Sequence, residues 1–508
     1  MAQEIEIKMS VAPEHARQLW SVLARYHHFR PASRRVFSVY YDTADYRLQR
    51  AGVALRLRRE GKRWIQTIKS AGNAAAGLHR RNEHETEVAA QLLSFPAMIE
   101  AGFGNLMAER KTREALQVAF TTDFKRSSTS IRPRIGTIIE ISLDRGAIVA
   151  NEQREPICEI ELELKAGDTD ALFDLALEIA RDLPVRLDNR SKAQRGYALA
   201  AHIEPAPVKA STPPLCAHMT LDDAFVAIAF HSLAHLQDNE IGLLAGRNPE
   251  YLHQARIALR RLRSVFHLFD AIIPKSHFSQ ALDGLKQVAR LLGEARDLDV
   301  FAVETLSHAG SARHAGVAAL RQRTQDSRQR AARAVRAAMT APEYTVLLLR
   351  LARSLAAGQW RGETGRPATA NLTLLRFATK LVSHRYARVK RRHRHMGQLG
   401  FAQLHRLRVR VKRLRYAIEF FLPLFAGDEA KGALQTLVDL QALLGRLNDD
   451  ATAWKLLDGL ASEDASMDYQ QAVGFVRGWS ALDAQQCCNR LHAAWKQFDE
   501  SQPWRKSF

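Results

Sequence analysis

Cysteine is scarce in this chain of 508 residues. It has four, Cys158, Cys216, Cys487 and Cys488, two of them adjacent and none in the paired CxxC spacing of a metal site. Unpaired thiols in a reducing, cytoplasmic setting are therefore expected. Long apolar runs are missing too: no stretch approaches the roughly 20 residues of a membrane helix, so no membrane association is expected. The start carries Glu4 and Glu6 rather than a basic segment followed by an apolar one, which argues against a secretory signal. Aromatic residues make up 7% and do not alternate with the basic runs, which speaks against a stacking platform for single-stranded nucleic acid.

What the chain has in excess is positive charge. Lysine and arginine number 74 against 54 acids, a net of +20. Residues 1–200 hold 31 bases and 26 acids, a net of +5, and residues 201–508 hold the remaining 43 and 28, a net of +15. The second part therefore calls for a polyanion: nucleic acid, an anionic membrane surface or a phosphate polymer. With 46% hydrophobic and 25% charged residues the chain is globular, and its length implies two or more domains.

The seam is the stretch from Glu204 to Ala217, where Pro205, Pro207, Pro213 and Pro214 deny both helix and sheet ladder. An extended spacer at 204–217 is expected between an α+β or mostly β domain at 1–203 and an all-α domain at 218–508. The first domain is built from short alternating segments. In Glu4-Ile5-Glu6-Ile7-Lys8 the charges share one strand face and the isoleucines the other. Val53 to Arg58 sets Arg56 and Arg58 opposite Leu55 and Leu57, and Ile157 to Leu164 sets Glu159, Glu161 and Glu163 opposite Ile160, Leu162 and Leu164. The same rhythm returns at Glu83, Glu85 and Glu87, and Glu140 stands opposite Ile139 and Ile141.

Each such strand alone fits a solvated face of an antiparallel sheet. The sorting of sign points further, because some strands carry only acids on that face and others only bases. A closed barrel gathers these faces into one lumen, with carboxylates for a divalent cation and arginines for phosphate. Hard oxygen ligands suit magnesium or manganese, and guanidinium forks suit phosphoryl oxygens.

These residues resemble the CYTH superfamily, the triphosphate tunnel metalloenzymes. The opening Glu4-x-Glu6-x-Lys8 is similar to its ExExK signature. It is followed in the family's order by Tyr40-Tyr41-Asp42-Thr43, Leu55-Arg56-Leu57-Arg58, Thr67-Ile68-Lys69, Glu159-Ile160-Glu161-Leu162-Glu163 and Ser191-Lys192-Ala193-Gln194-Arg195-Gly196-Tyr197. The resemblance implies an eight-stranded antiparallel tunnel that hydrolyses inorganic triphosphate with Mg2+ or Mn2+. It assigns Glu4 and Glu6, with Glu159, Glu161 or Glu163, to the metal, and Asp144 and Glu140 as candidates to join them. It assigns Lys8, Arg56, Arg58, Lys69, Arg126 and Lys192 to the phosphates, with Lys125, Arg132 and Arg134 as competitors for the place of Arg126.

The second domain repeats itself. The segment His253-Gln-Ala-Arg256-Ile-Ala-Leu-Arg260-Arg261-Leu-Arg263 recurs as His405-Arg-Leu-Arg408-Val-Arg-Val-Lys412-Arg413-Leu-Arg415, a shift of 405 minus 253, or 152. Leu292 before Arg296-Asp297 recurs as Leu444 before Asn448-Asp449, and 444 minus 292 is again 152. Two motifs in one register indicate duplicated halves. At about 100° per residue, His253, Arg256, Arg260 and Arg263 fall within an arc of about 80°, as do His405, Arg408, Lys412 and Arg415. A lone basic stripe is often only a solvated helix face. Stripes that repel internally, lack interleaved acids and occur twice in register call for a bound anion.

These motifs are similar to those of the CHAD domain over roughly residues 218–505. The resemblance implies two pseudo-symmetric four-helix bundles and a basic surface for inorganic polyphosphate, built from both motif copies together with Arg296. Asp297, Asp299, Asp449 and Asp450 are expected to brace arginines. The basic runs Arg321 to Arg336 and Lys390 to His395 fit either an extension of that surface or exposed helices. Alternatives at this stage are an adenylate cyclase using the same tunnel and a non-catalytic polyphosphate- or RNA-binding scaffold. The expected location is cytoplasmic, with association to polyphosphate granules following from the polymer.

Overall fold

The computed structural model describes residues 2–26, 31–70, 72–89, 91–308, 315–361, 372–391, 400–425, 428–461 and 466–500. Two compact units result, Met1–Ala206 with Thr340–Gly358, and Pro207–Met339 with Gln359–Phe508. No helix among the described residues is long and apolar enough to cross a membrane. Residues 392–395 of the basic run at 390 lie outside the described residues.

The first unit is a barrel. Its strands are β1 (Ala2–Val11), β2 (Ala32–Asp42), β3 (Val53–Glu60), β4 (Arg63–Ser70), β5 (Asn73–Ala75), β6 (Leu78–Val88), β7 (Gln117–Ile131), β8 (Ile138–Ala150), β9 (Gln153–Ala166) and β10 (Val185–Leu187). They pair antiparallel in the order β10-β1-β9-β8-β7-β2-β3-β4-β6-β5. A further β1–β6 pairing closes β1-β9-β8-β7-β2-β3-β4-β6 into an eight-stranded ring. The alternation seen in the sequence decides which side is wet. Leu55 and Ile68 pack outward against Met98, Ala101 and Met107. The charged partners of these strands point into the lumen. The apolar core thus lies between barrel wall and covering helices, and the interior is polar, as in a barrel wide enough to hold a ligand.

Two further helices pack against the wall. Helix α1 (Thr169–Asp182), capped by Asp168, buries Leu172, Leu175, Ala176 and Ile179. Helix α2 (Lys192–Ala200) starts with a capping box between Ser191 and Gln194, which fixes Lys192 in its first turn.

The second unit contains α3 (Leu221–Ala245), α4 (Pro249–Leu268), α5 (Ser279–Val300), α6 (Ala315–Thr340), then α8 (Leu374–Lys390), α9 (Phe401–Phe421), α10 (Glu429–Ala461) and α11 (Met467–Glu500). The repeat is visible in the boundaries, since α9 begins 401 minus 249, or 152, residues after α4. Aromatic side chains join the halves: Phe269 of the first stacks on Phe377 at 5.3 Å and contacts Phe421 at 6.1 Å. The helix between the two sets, α7 (Pro342–Ala357), belongs to the barrel unit. Its Thr345 hydroxyl donates to the Val185 carbonyl of β10 at 2.9 Å, and Arg353 pairs with Asp174 of α1 at 2.9 Å.

The proline-rich segment is extended but not free. His235 and the Asn239 amide both bond the Val208 carbonyl at 3.0 Å, and His231 bonds the Ser211 carbonyl at 3.0 Å. Arg261 donates to the same Ser211 carbonyl at 2.7 Å. Histidines and asparagine at i, i+4 and i+8 thus form one docking face on α3, and they satisfy backbone groups that proline leaves without a ladder.

Burial pushes His235 down to about 4, so it stays neutral when folded while the unfolded chain takes up a proton near pH 6.5. Stability from this group is present above pH 6.5 and is lost as pH falls toward about 4. Denaturant melts of the wild type and His235→Gln between pH 7 and 4.5 should diverge by about 2–3 kcal/mol, with the wild type falling more steeply. Parallel curves would contradict this account of the docked segment.

Candidate active site

A cavity of about 530 Å³ runs through the barrel, and its lining includes Glu4, Glu6, Lys8, Arg56, Arg58, Lys69, Arg126, Glu161, Glu163 and Lys192. Strand register places them. Glu6 of β1 faces Glu163 of β9, which faces Glu140 of β8, so three carboxylates stand in one row across adjacent strands. One step along, Lys8 faces Glu161, and one further, Glu159 faces Asp144, which faces Arg126.

The charges form two interlocked groups. In the first, Arg81 of β6 donates to Glu4 at 2.7 Å and to Glu6 at 2.6 Å. Lys69 contacts Glu4 at 2.9 Å and Glu83 at 3.0 Å, and Arg56 reaches Glu83 at 3.4 Å. Burial raises the Glu4 carboxyl, but Lys69 and Arg81 outweigh it and hold it well below the usual carboxylate range. In the second group Lys192 donates to Asp144 at 2.7 Å, to Glu161 at 2.9 Å and to Glu159. Arg126 grips Asp144 through two bonds of 2.8 and 2.6 Å and also bonds Glu161. Lys8 lies 3.1 Å from Glu161 and 3.4 Å from Glu159.

The donor set fits a divalent cation. Asp144, Glu159 and Glu161 each bring one oxygen within 4.8 Å of the others, and the Lys192 ammonium among them shows that the position already accommodates positive charge. Glu4 and Glu6 likewise converge on one guanidinium. All donors are carboxylate oxygens, the ligands that magnesium and manganese take.

The bases fit an anion. Burial, and after it Arg56 and Arg126, lower the affinity of Arg58 for its proton, and burial with Arg81 and Arg56 does the same for Lys69. The buried Nε atoms of Arg56 and Arg58 find no hydrogen-bond partner among the described residues. Cations that depress one another around vacant donors create the potential a phosphate chain would relieve.

Alternation settles which base of β7 serves the lumen: Arg126 points in, and Lys125 is exposed, as are Arg132 and Arg134 beyond the strand end. Glu163 sits nearer the opening, where it pairs with Lys165 at 2.6 Å, and burial pushes its carboxyl up. Two residues escaped the sequence reading. Arg81 shares its strand face with Glu83 and Glu85, so the alternation itself was the available signal. Arg195 is buried against Glu155 at 2.8 Å and Glu159 at 3.1 Å, and it braces the acids from α2.

In the helical unit the two basic stripes converge. Burial and then Arg260, Arg408, Arg263 and Arg256 drive the Lys412 ammonium down to about 7, which requires both motif copies to face one spot. Arg256 pairs with Asp297 at 2.7 Å, and His405 bonds Asn448 at 3.0 Å. His253 is half-buried, and burial followed by the nearby Arg296 lowers it. Arg415 reaches Glu419 at 3.3 Å. Arg261 departs from the expected surface: it is 2% exposed and bonds Glu419 at 2.9 Å. Helical phase explains this, since Arg261 lies 80° or more from the other members of its stripe. Arg413, its counterpart, is exposed beside Arg385. Asp299 braces Arg328 at 2.8 Å.

Comparison with known proteins agrees with this division. The CYTH domain model matches residues 2–197 and the CHAD domain model residues 227–458. Over 201 residues the chain is 31% identical to the inorganic triphosphatase of Haemophilus influenzae, covering 40% of this chain and 56% of that protein, so it spans just over half of that relative's length. The solved CHAD domain of the plant Ricinus communis is similar at 31% identity and a TM-score of 0.50, over 57% of this chain and 96% of that one.

Gly196 lets α2 approach the barrel wall closely. A Cβ there would lie 2.1 Å from the Phe120 ring, which itself packs edge-on against Tyr197 at 5.1 Å. Gly196→Ala should push α2, and Lys192 with it, off the barrel at a cost of about 1–3 kcal/mol in a denaturant melt. A melt unchanged from wild type would contradict the close approach.

Proposed function

This chain belongs to the CHAD family through its helical region and carries a CYTH domain in its barrel, and on that premise we propose that the barrel hydrolyses inorganic triphosphate to diphosphate and phosphate with a divalent cation, magnesium or manganese, while the helical unit binds inorganic polyphosphate. The observation that carries the reading is the lumen itself, in which carboxylates with cation spacing stand beside arginines with vacant buried donors. A bound cation would neutralise phosphoryl oxygens and polarise the phosphorus. Arg56, Arg58, Lys69 and Arg126 then hold the chain of phosphates and stabilise the charge that gathers on the oxygens as the bridging bond breaks. Water supplies the oxygen that joins the terminal phosphorus, and diphosphate leaves. The side chains of Arg56, Arg58, Lys69 and Arg126 are largely buried in the barrel, which strengthens each of these interactions.

Polyphosphate suits the helical unit because Arg256, Arg260, Arg263, Arg408 and Lys412 face one region from two symmetric helices, a spacing of like charge that a repeating anion matches. Its role is accessory, raising the local supply of phosphate chains.

The two activities should separate by mutation. Glu4→Gln should lower phosphate release from tripolyphosphate by about 100-fold or more while retention on immobilised polyphosphate stays intact. Combined neutralisation of Arg260, Arg263, Lys412 and Arg415 should do the reverse. Loss of polymer retention alone in Glu4→Gln would overturn the assignment of roles.

A further inference from the structure

Arg81 occupies the carboxylates that a cation would need. It stands opposite Glu4 in the β1–β6 pairing that closes the barrel, and its Nε and Nη2 donate to Glu4 at 2.7 Å and Glu6 at 2.6 Å. Its side chain is largely buried yet lines the cavity. Lys69 takes the remaining capacity of Glu4 through contacts to both carboxylate oxygens at 3.0 and 2.9 Å. Both oxygens of Glu4 and one oxygen of Glu6 are thus held by protein bases.

This occupation has two consequences. Divalent cation and guanidinium cannot share these oxygens, because like charges a few ångströms apart repel strongly in a buried setting. Release of Arg81 would in turn leave a charged fork of donors unpaired in a closed lumen, a costly state unless an anion accepts them. Neighbouring bases offer no relief, since Lys69 and Arg56 crowd the same side.

The geometry points to Arg81 as an exchange residue that yields Glu4 and Glu6 to a divalent cation and turns its donors to phosphoryl oxygens, so that cation and triphosphate bind cooperatively. It is a positioning residue in this role, and the inference rests on the cation-assisted triphosphatase reading given above. Each ligand tightens the other because each removes the partner that the other's absence would leave exposed, and such coupling is reciprocal.

The test uses the full chain, Mn2+ and imidotriphosphate, a triphosphate analogue whose bridges resist hydrolysis. Mn2+ affinity is measured calorimetrically with and without the analogue, for wild type and Arg81→Gln. In the wild type each ligand should tighten the other by about tenfold or more. In Arg81→Gln, Mn2+ alone should bind about tenfold more tightly than to wild type, because its competitor is gone, and the coupling should shrink several-fold. A merely structural arginine predicts weaker Mn2+ binding on its removal. If Arg81→Gln fails to fold, Arg81→Lys keeps the charge but only part of the fork, and Mn2+ affinity should again exceed that of wild type. Unchanged or weaker Mn2+ binding in the variant, with coupling retained, overturns the inference. Phosphate release from tripolyphosphate by wild type, run in parallel with chelator, separates the two levels: chelator-sensitive release beside a failed Arg81 arm sinks the exchange alone, and no release sinks the triphosphatase reading as well.

Discussion

Charge buried inside a closed β-barrel must be paired or must bind something, and this requirement organises the first unit. Alternation along eight strands sends one set of side chains outward to an apolar shell and the other inward, where there is no core to receive them. Here the inward set is ionic. Asp144 is wholly buried, yet it is matched by the fork of Arg126 and the ammonium of Lys192. Isolated, any one of these charges would cost several kcal/mol to desolvate. The barrel tolerates them because strands that carry acids lie within reach of bases from other segments, so that Glu4 meets Lys69 and Arg81, and Asp144 meets Arg126 and Lys192.

Pairing is incomplete in a direction that matters. The acids are over-satisfied, each of Glu4, Glu159 and Glu161 touching two or more bases. Some bases are under-satisfied, with Arg56 and Arg58 leaving buried nitrogens vacant. A site poised in this way gains most from a ligand that is itself anionic and brings cations with it. The helical unit applies the same logic on a surface rather than in a lumen, since its two stripes face one another across the repeat with few acids between them.

Much of this was legible in the residues. Period-two alternation with sorted sign gave the strands, their lumen faces and the set Glu4, Glu6, Lys8, Arg56, Arg58 and Lys69, because a strand's facing is a local property. The repeat register of 152 likewise placed the two stripes on corresponding helices. What stayed hidden depends on contacts between distant segments. Arg81 was in plain alternation with Glu83, but only the β1–β6 closure reveals that it lies on Glu4 and Glu6. Arg261 reads as one more base of a basic motif until Glu419, 158 residues away, takes it into the interior. The docking of the proline-rich segment on His231, His235 and Asn239, and the placement of α7 in the barrel unit, are tertiary choices that no local pattern encodes.

The most direct test of the central claim is to locate the ligands. Crystals of the full chain grown with Mn2+ and a hydrolysis-resistant triphosphate, measured at the manganese absorption edge, would place the cation by its anomalous signal. The account predicts manganese inside the barrel on carboxylates of β1, β8 or β9, with phosphates toward Arg56, Arg58, Lys69 and Arg126. Manganese and triphosphate found only on the helical unit, with the lumen ion pairs unchanged, would contradict it.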